Sequence, residues 1–236
     1  MYRKVKLALE ISAVALLSAC GGGSGSGVSG GGRTGPVASS LTFNASTAMR
    51  SLAVSGQTAN FSVSSSDGCT GSGSFTAGAT TTSNTFENQS ALSSTSMFNI
   101  NYTNCTPAII SSTTTNYTDT NYVPLGVSGE KYIVYTGGFN VPSTARVGEV
   151  GIIGNALRYT SSSKTIQDGT AQLSYVVEAD TESTALITVS TKTYSISNSL
   201  ESTQLTKYRI NSSNTMSLVS MTIQYATGAN VVLTRT

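Results

Sequence analysis

Ala171-Gln172-Leu173-Ser174-Tyr175-Val176-Val177 places an apolar or aromatic residue at every odd position, and polar Gln172 and Ser174 fall between. Side chains alternate faces along an extended chain, so this period of two describes a half-buried β-strand. Val219, Met221, Ile223 and Tyr225 repeat the pattern against Ser220, Thr222 and Gln224. Further strands are expected over residues 132–135, 150–159, 184–194, 203–210 and 231–235. Between them lie Gln167-Asp168-Gly169, Asp180-Thr181-Glu182, Asn211-Ser212-Ser213-Asn214 and Thr227-Gly228, residue types that favour tight turns. Upstream, residues 60–64, 73–77 and 97–103 read as strands with weaker alternation. Beyond the N-terminal leader no segment carries a sustained 3.6-residue apolar stripe, so no helix is expected there. The fold class is all-β: an antiparallel meander that curls into a half-barrel or barrel, or packs as a β-sandwich.

Composition narrows the chemistry. The 236 residues include no His and no Trp, and nearly a third are Ser or Thr. Without His the chain lacks the side chain that titrates near neutrality and the commonest metal ligand. Five charged residues (Arg33, Arg50, Asp67, Glu87, Asp119) lie between Cys20 and Ser128, against fifteen from Gly129 onward. Five of the six Phe precede residue 100, and every Tyr after Tyr2 follows it. These shifts divide the body into a Ser/Thr-rich β region, 37–106, and a β-meander, 107–236, as two units or one continuous sheet.

The N-terminus reads as an address. Arg3, Lys4 and Lys6 precede an apolar run from Leu7 to Ala19, too short to span a bilayer as a helix and of the length of a signal-peptide core. The run closes on Leu17-Ser18-Ala19-Cys20, which resembles the bacterial lipobox. That resemblance implies cleavage of residues 1–19, acylation of Cys20 and anchoring by several chains at ~0.8 kcal/mol per buried CH₂. Gly21 rather than Asp implies onward sorting to the outer membrane of a Gram-negative-type envelope, on its periplasmic face or at the surface. Residues 20–36 then form a Gly/Ser tether with a reach of roughly 20–24 Å. Without residues 1–19 the chain has ten basic and ten acidic residues, so it is neutral. It carries no basic footprint for nucleic acid. With Cys20 assigned to lipid, Cys69 and Cys105 remain as a pair expected to form a disulfide in an oxidising compartment.

Three groups of residues raise catalytic, metal or ligand chemistry. Ser161-Ser162-Ser163-Lys164 matches S-x-x-K, which needs Ser and Lys one helical turn apart. Here it follows a strand and reads as a polar loop. Glu178, Asp180 and Glu182 cluster carboxylates as a Ca²⁺ site or a glycosidase pair would, and read as solvated turn charge. The Tyr residues suit ligand stacking, but Tyr175 and Tyr225 fall in phase with apolar neighbours, as core or rim residues do. The expectation is a non-enzymatic, lipid-anchored structural or binding module without cofactor or metal. Its membrane contact is through the acyl chains, and any further partner is a protein or an apolar ligand. The rival readings are a periplasmic carrier of lipid or another apolar ligand, and a serine or carboxylate hydrolase.

Overall fold

A computed structural model describes residues 35–236. The signal segment, Cys20 and most of the tether lie outside the described residues. The described chain begins with one helix, α1 (Ala45–Ser55), and continues as strands. These are β1 (Gln57–Ser65), β2 (Thr70–Ala77), β3 (Thr82–Phe86), β4 (Gln89–Tyr102), β5 (Ile109–Thr118), β6 (Pro124–Ser128) and β7 (Tyr132–Thr136). The remainder are β8 (Val150–Tyr159), β9 (Gln167–Thr181), β10 (Thr184–Ser195), β11 (Leu200–Asn211), β12 (Met216–Tyr225) and β13 (Asn230–Arg235).

Consecutive strands pair antiparallel from β4 through to β13, β13 pairs with β1, and β1 with β2. The pairing of β2 with β4, from Gly71 opposite Tyr102 to Ala77 opposite Ser96, closes the sheet into a barrel of twelve strands. Because β4 and β5 pair over ten residues, the Ser/Thr-rich region and the meander form one sheet. One barrel end carries α1 and the β5–β6, β7–β8, β9–β10 and β11–β12 connections. The other end carries the β1–β2 and β4–β5 turns, joined by the Cys69–Cys105 disulfide (Cα–Cα 5.7 Å). The bridge therefore spans the closing seam.

The expected alternation is present and faces the bore. Ala171, Leu173 and Val177 are buried, as are Ile187 and Val189, Phe61 and Val63, and Phe98 and Ile100. A barrel of eight strands is just filled by its own side chains, and diameter grows with strand number. Twelve strands leave room that the walls alone do not fill. The remainder comes from Phe43, from α1 through Ala45 and Ala48, and from Ala145 on the long β7–β8 connection, all essentially inaccessible. Phe43 and Ala145 exchange two backbone hydrogen bonds at 2.9 Å, which locks the two inserted segments together.

The helix departs from the sequence expectation. Its inward stripe is Ala45, Ala48 and Leu52, small enough to sit inside the bore and too weakly apolar to stand out by periodicity. Asn44 caps it, its Oδ1 accepting from the Thr47 amide at 3.0 Å. Gly56 ends it at φ +70, against the β2 backbone at Ala77, where any Cβ would collide.

Two further details are corrected. Gln167-Asp168-Gly169 is not a turn; it opens β9, and the turn lies just upstream over residues 160–166. Gly169 there takes φ +156 against the Tyr194 carbonyl, a close approach that explains the glycine without a turn. In β12 the inward phase breaks at Val219. Lys207 pairs with Ser220 and Tyr208 with Leu218, so Val219 is a bulge and both Leu218 and Met221 face inward.

Outside, the barrel is mostly polar, with Met97, Ile109, Val150 and Ile152 exposed among the polar residues. The residues alternating with the core are Thr58, Asn60, Ser62 and Ser64 on β1, Ser111, Thr113 and Thr115 on β5, and Ser220, Thr222 and Gln224 on β12. The β3–β4 hairpin covers one apolar part of this surface. Its Phe86 stacks on Tyr117 of β5 (ring centroids 4.5 Å) and leans on Tyr132 of β7 (5.3 Å). Between them Gly126 of β6 leaves the space that the Phe86 ring fills. At the hairpin tip Glu87 accepts from the Tyr132 hydroxyl at 2.8 Å and pairs with Lys164.

Replacing Cys69 and Cys105 together by Ala should lower unfolding free energy by about 4 kcal/mol, the loop-closure value for a separation of 36 residues. Urea denaturation read by far-ultraviolet circular dichroism should show the same β signal before a transition at lower denaturant. Gly126→Ala should cost about 2 kcal/mol through the clash with Phe86 and the Ile133 carbonyl, read in the same assay.

Candidate functional site

At the helix end a cavity of about 210 Å³ lies between α1 and the inner wall. The helix supplies Ser46, Met49, Arg50 and Ala53, a stripe at i, i+3, i+4 and i+7 that flanks the one packed into the bore. The wall supplies Ser94 and Ser96 of β4 and Asn116 and Thr118 of β5. Val123, Pro124 and Val141 add apolar surface.

Two polar groups of this cavity are unusual. Asn116 donates from Nδ2 to Ser96 Oγ at 2.8 Å, but its Oδ1 is buried without a hydrogen-bond partner. Thr118 is 8% exposed, and its Oγ1 is likewise buried and unpartnered. Leaving such atoms unsatisfied costs on the order of 1–3 kcal/mol each, so they mark a place suited to an outside partner.

The rim is built by residues 119–123. Asp119 Oδ1 accepts from the backbone amides of Asn121 and Val123, both at 2.8 Å, and the Asp119 and Val123 backbones bond at 2.9 Å. This tight loop holds Tyr122 at φ +67, a left-handed conformation that bulky residues rarely adopt. Its ring lies under the Arg50 guanidinium, 5.1 Å from carbon to ring centroid. Among the described residues no carboxylate is within ion-pair distance of Arg50. The stacked cation keeps its N–H edge available.

The opposite mouth is charged. Arg158, 3% exposed, reaches Asp168 at 2.8 Å and Glu201 at 2.7 Å, and Lys131 reaches Asp168 at 2.9 Å. Thr191, Thr193, Gln204 and Tyr225 complete a recess of about 280 Å³. With Glu130 also in the lining, two cations face three carboxylates in a polar cover over the apolar bore.

The residues singled out by sequence are dispersed. Ser161 Oγ shares a hydrogen bond with Ser163 Oγ at 2.8 Å, while Lys164 at φ +54 turns to Glu87, so Ser161 and Lys164 are engaged elsewhere. Glu178 bonds Thr188 and pairs with Lys207 at 3.0 Å. Asp180 takes a bidentate pair from Arg209 at 2.6 and 3.1 Å. The Glu182 side chain is absent from these pairs; its backbone carbonyl accepts from Ser39. The acidic turn is thus a set of ion pairs to β11, and among the described residues no three ligand-type side chains converge as a metal site. Tyr175 packs on the core and Tyr225 lines the charged recess, in the core and rim roles expected.

Sequence reading missed Asn116, Thr118 and Tyr122 because β5 has no apolar alternation to place its inward face. The one usable signal was Arg50, a solitary cation in a charge-poor stretch. Compared with family models, curated proteins and solved structures, the chain has no match, and the site is read from its own geometry.

Hydrogen bonds from Lys164 hold the Glu87 carboxyl below its usual range, and those from Arg209 do the same for Asp180. A carboxyl lowered on folding adds stability that is full above its unfolded pKa and disappears as pH falls through the folded value. The Arg209→Ala variant should therefore be about 1 kcal/mol less stable at pH 7. Urea titrations from pH 7 downward should show that gap closing below about pH 4.

Proposed function

We propose that this protein is a lipid-anchored, non-enzymatic binding module of a Gram-negative-type bacterial envelope, tethered through Cys20 and binding a small ligand in the helix-end cavity. The observation that carries the binding reading is the pair of buried, unpartnered oxygens of Asn116 and Thr118 in a cavity with apolar walls. The Ser/Thr-rich outer face, on which Met97, Ile109, Val150 and Ile152 are scattered exposures, supports an aqueous setting, since membrane-spanning barrels turn an apolar band outward. The tether suits that setting, holding the barrel clear of the headgroups.

A binding role is favoured over catalysis by the engagement of Ser161, Lys164, Glu178 and Asp180 in structural contacts. It is favoured over a lipid carrier because Phe43, Phe61, Phe98, Ile187 and Leu233 occupy the bore where acyl chains would lie. Organic extraction of purified protein should accordingly yield no stoichiometric lipid beyond the anchor.

Cys20→Ala should move the protein from the membrane fraction to the soluble fraction, as followed by immunoblot after carbonate washing. Retention in the membrane fraction overturns the anchor. The barrel should unfold at an unchanged temperature in that variant, because the described core is built from residues 43–233.

A further inference from the structure

We infer that the helix-end cavity takes a small amphipathic hydroxy-carboxylate, with the acid on Arg50, the apolar body in the cavity, and the hydroxyl on Asn116 and Thr118. This rests on the binding-module reading and names its ligand class.

Each part of the ligand follows from a feature of the wall. Asn116 keeps Nδ2 occupied by Ser96, so what its Oδ1 lacks is a donor. Thr118 Oγ1 lies in the same wall and can give or take a proton in a hydrogen bond. A hydroxyl serves both, donating to one and accepting from the other. Met49, Leu52, Ala53, Val123, Pro124 and Val141 select an apolar body. At about 210 Å³ the cavity is below the range for drug-sized ligands, so that body is about one ring or a short branched chain. The Arg50 guanidinium at the rim selects an anion. Arg50 stacks on Tyr122, and its planar fork matches a carboxylate. The strained backbone of Tyr122, held by Asp119, sets its ring beneath that cation at the entrance.

The test uses the purified full chain, calorimetry and protein-observed NMR with three probes. These are 4-hydroxyphenylacetate, phenylacetate (no hydroxyl) and 4-hydroxybenzyl alcohol (no acid). The hydroxy-acid should bind about tenfold more tightly than phenylacetate, the expected effect of leaving one buried polar group unpaired, and more tightly than the alcohol, which offers Arg50 no carboxylate. Thr118→Val, nearly isosteric, should abolish the preference over phenylacetate. Arg50→Gln, on the exposed side of the helix, should remove the preference over the alcohol.

Equal affinity of the three probes, with cavity resonances shifting, overturns the ligand class and leaves the binding site standing. If no probe shifts a cavity resonance, the class is overturned and the cavity is a hydrated packing defect. Should Thr118→Val fail to fold, the Arg50→Gln comparison decides alone. The anchor is judged separately by the fractionation of Cys20→Ala.

Discussion

A closed barrel of twelve strands must have its bore filled. Closure pairs the edges of β2 and β4 and, among the described residues, leaves only the β3 arm with a free edge, but it encloses more volume than the inward side chains of the walls occupy. A void that size forfeits dispersion contacts all round its lining. The chain meets this by inserting its own N-terminal segment: Phe43, then a helix whose inward face is Ala, Ala and Leu, locked to Ala145 by a two-bond bridge. Larger residues at positions 45 and 48 would not fit between helix and wall, and polar ones would bury unsatisfied groups.

The cavity is a consequence of that plug. The helix covers the mouth with one face turned in and the other exposed, and recesses remain on both of its flanks, one against β12 and β13 and one against β4 and β5. The wall of the second includes Ser94, Ser96, Asn116 and Thr118. The polar wall facing that space is what gives the binding reading its chemistry, because its unpartnered oxygens call for a polar partner.

Outside the bore, the hairpin arm and the disulfide serve the same closure. The seam between β2 and β4 is short, since β4 pairs with β3 over residues 89–93 and meets β2 only from Ser96 onward. The disulfide clamps one end of the seam. At the other, the β3–β4 arm is held against β5–β7 by Phe86 in the Gly126 notch and by Glu87 on Tyr132 and Lys164. Strands poor in large apolar residues thereby gain ordering from a covalent link and an aromatic cluster.

Much of the wall was legible in the residues themselves. Period-two alternation located seven strands of the second half because each side of a barrel wall has one solvent, and Cys69 and Cys105 paired as the cysteine count suggested. Where alternation was lost, so was legibility. β5 is Ser and Thr on both faces, and α1 is an alanine stripe, so neither betrays what it packs against. Barrel against sandwich lay beyond the sequence because both satisfy the same alternation; the β2–β4 pairing decides it, and that pairing depends on curvature accumulated over the whole sheet. The cavity likewise brings Arg50, Asn116, Thr118 and Tyr122 together across two elements far apart in pairing order. Residue type placed an arginine in a charge-poor stretch, but only a plug seated in a closed bore puts it at the mouth of a pocket.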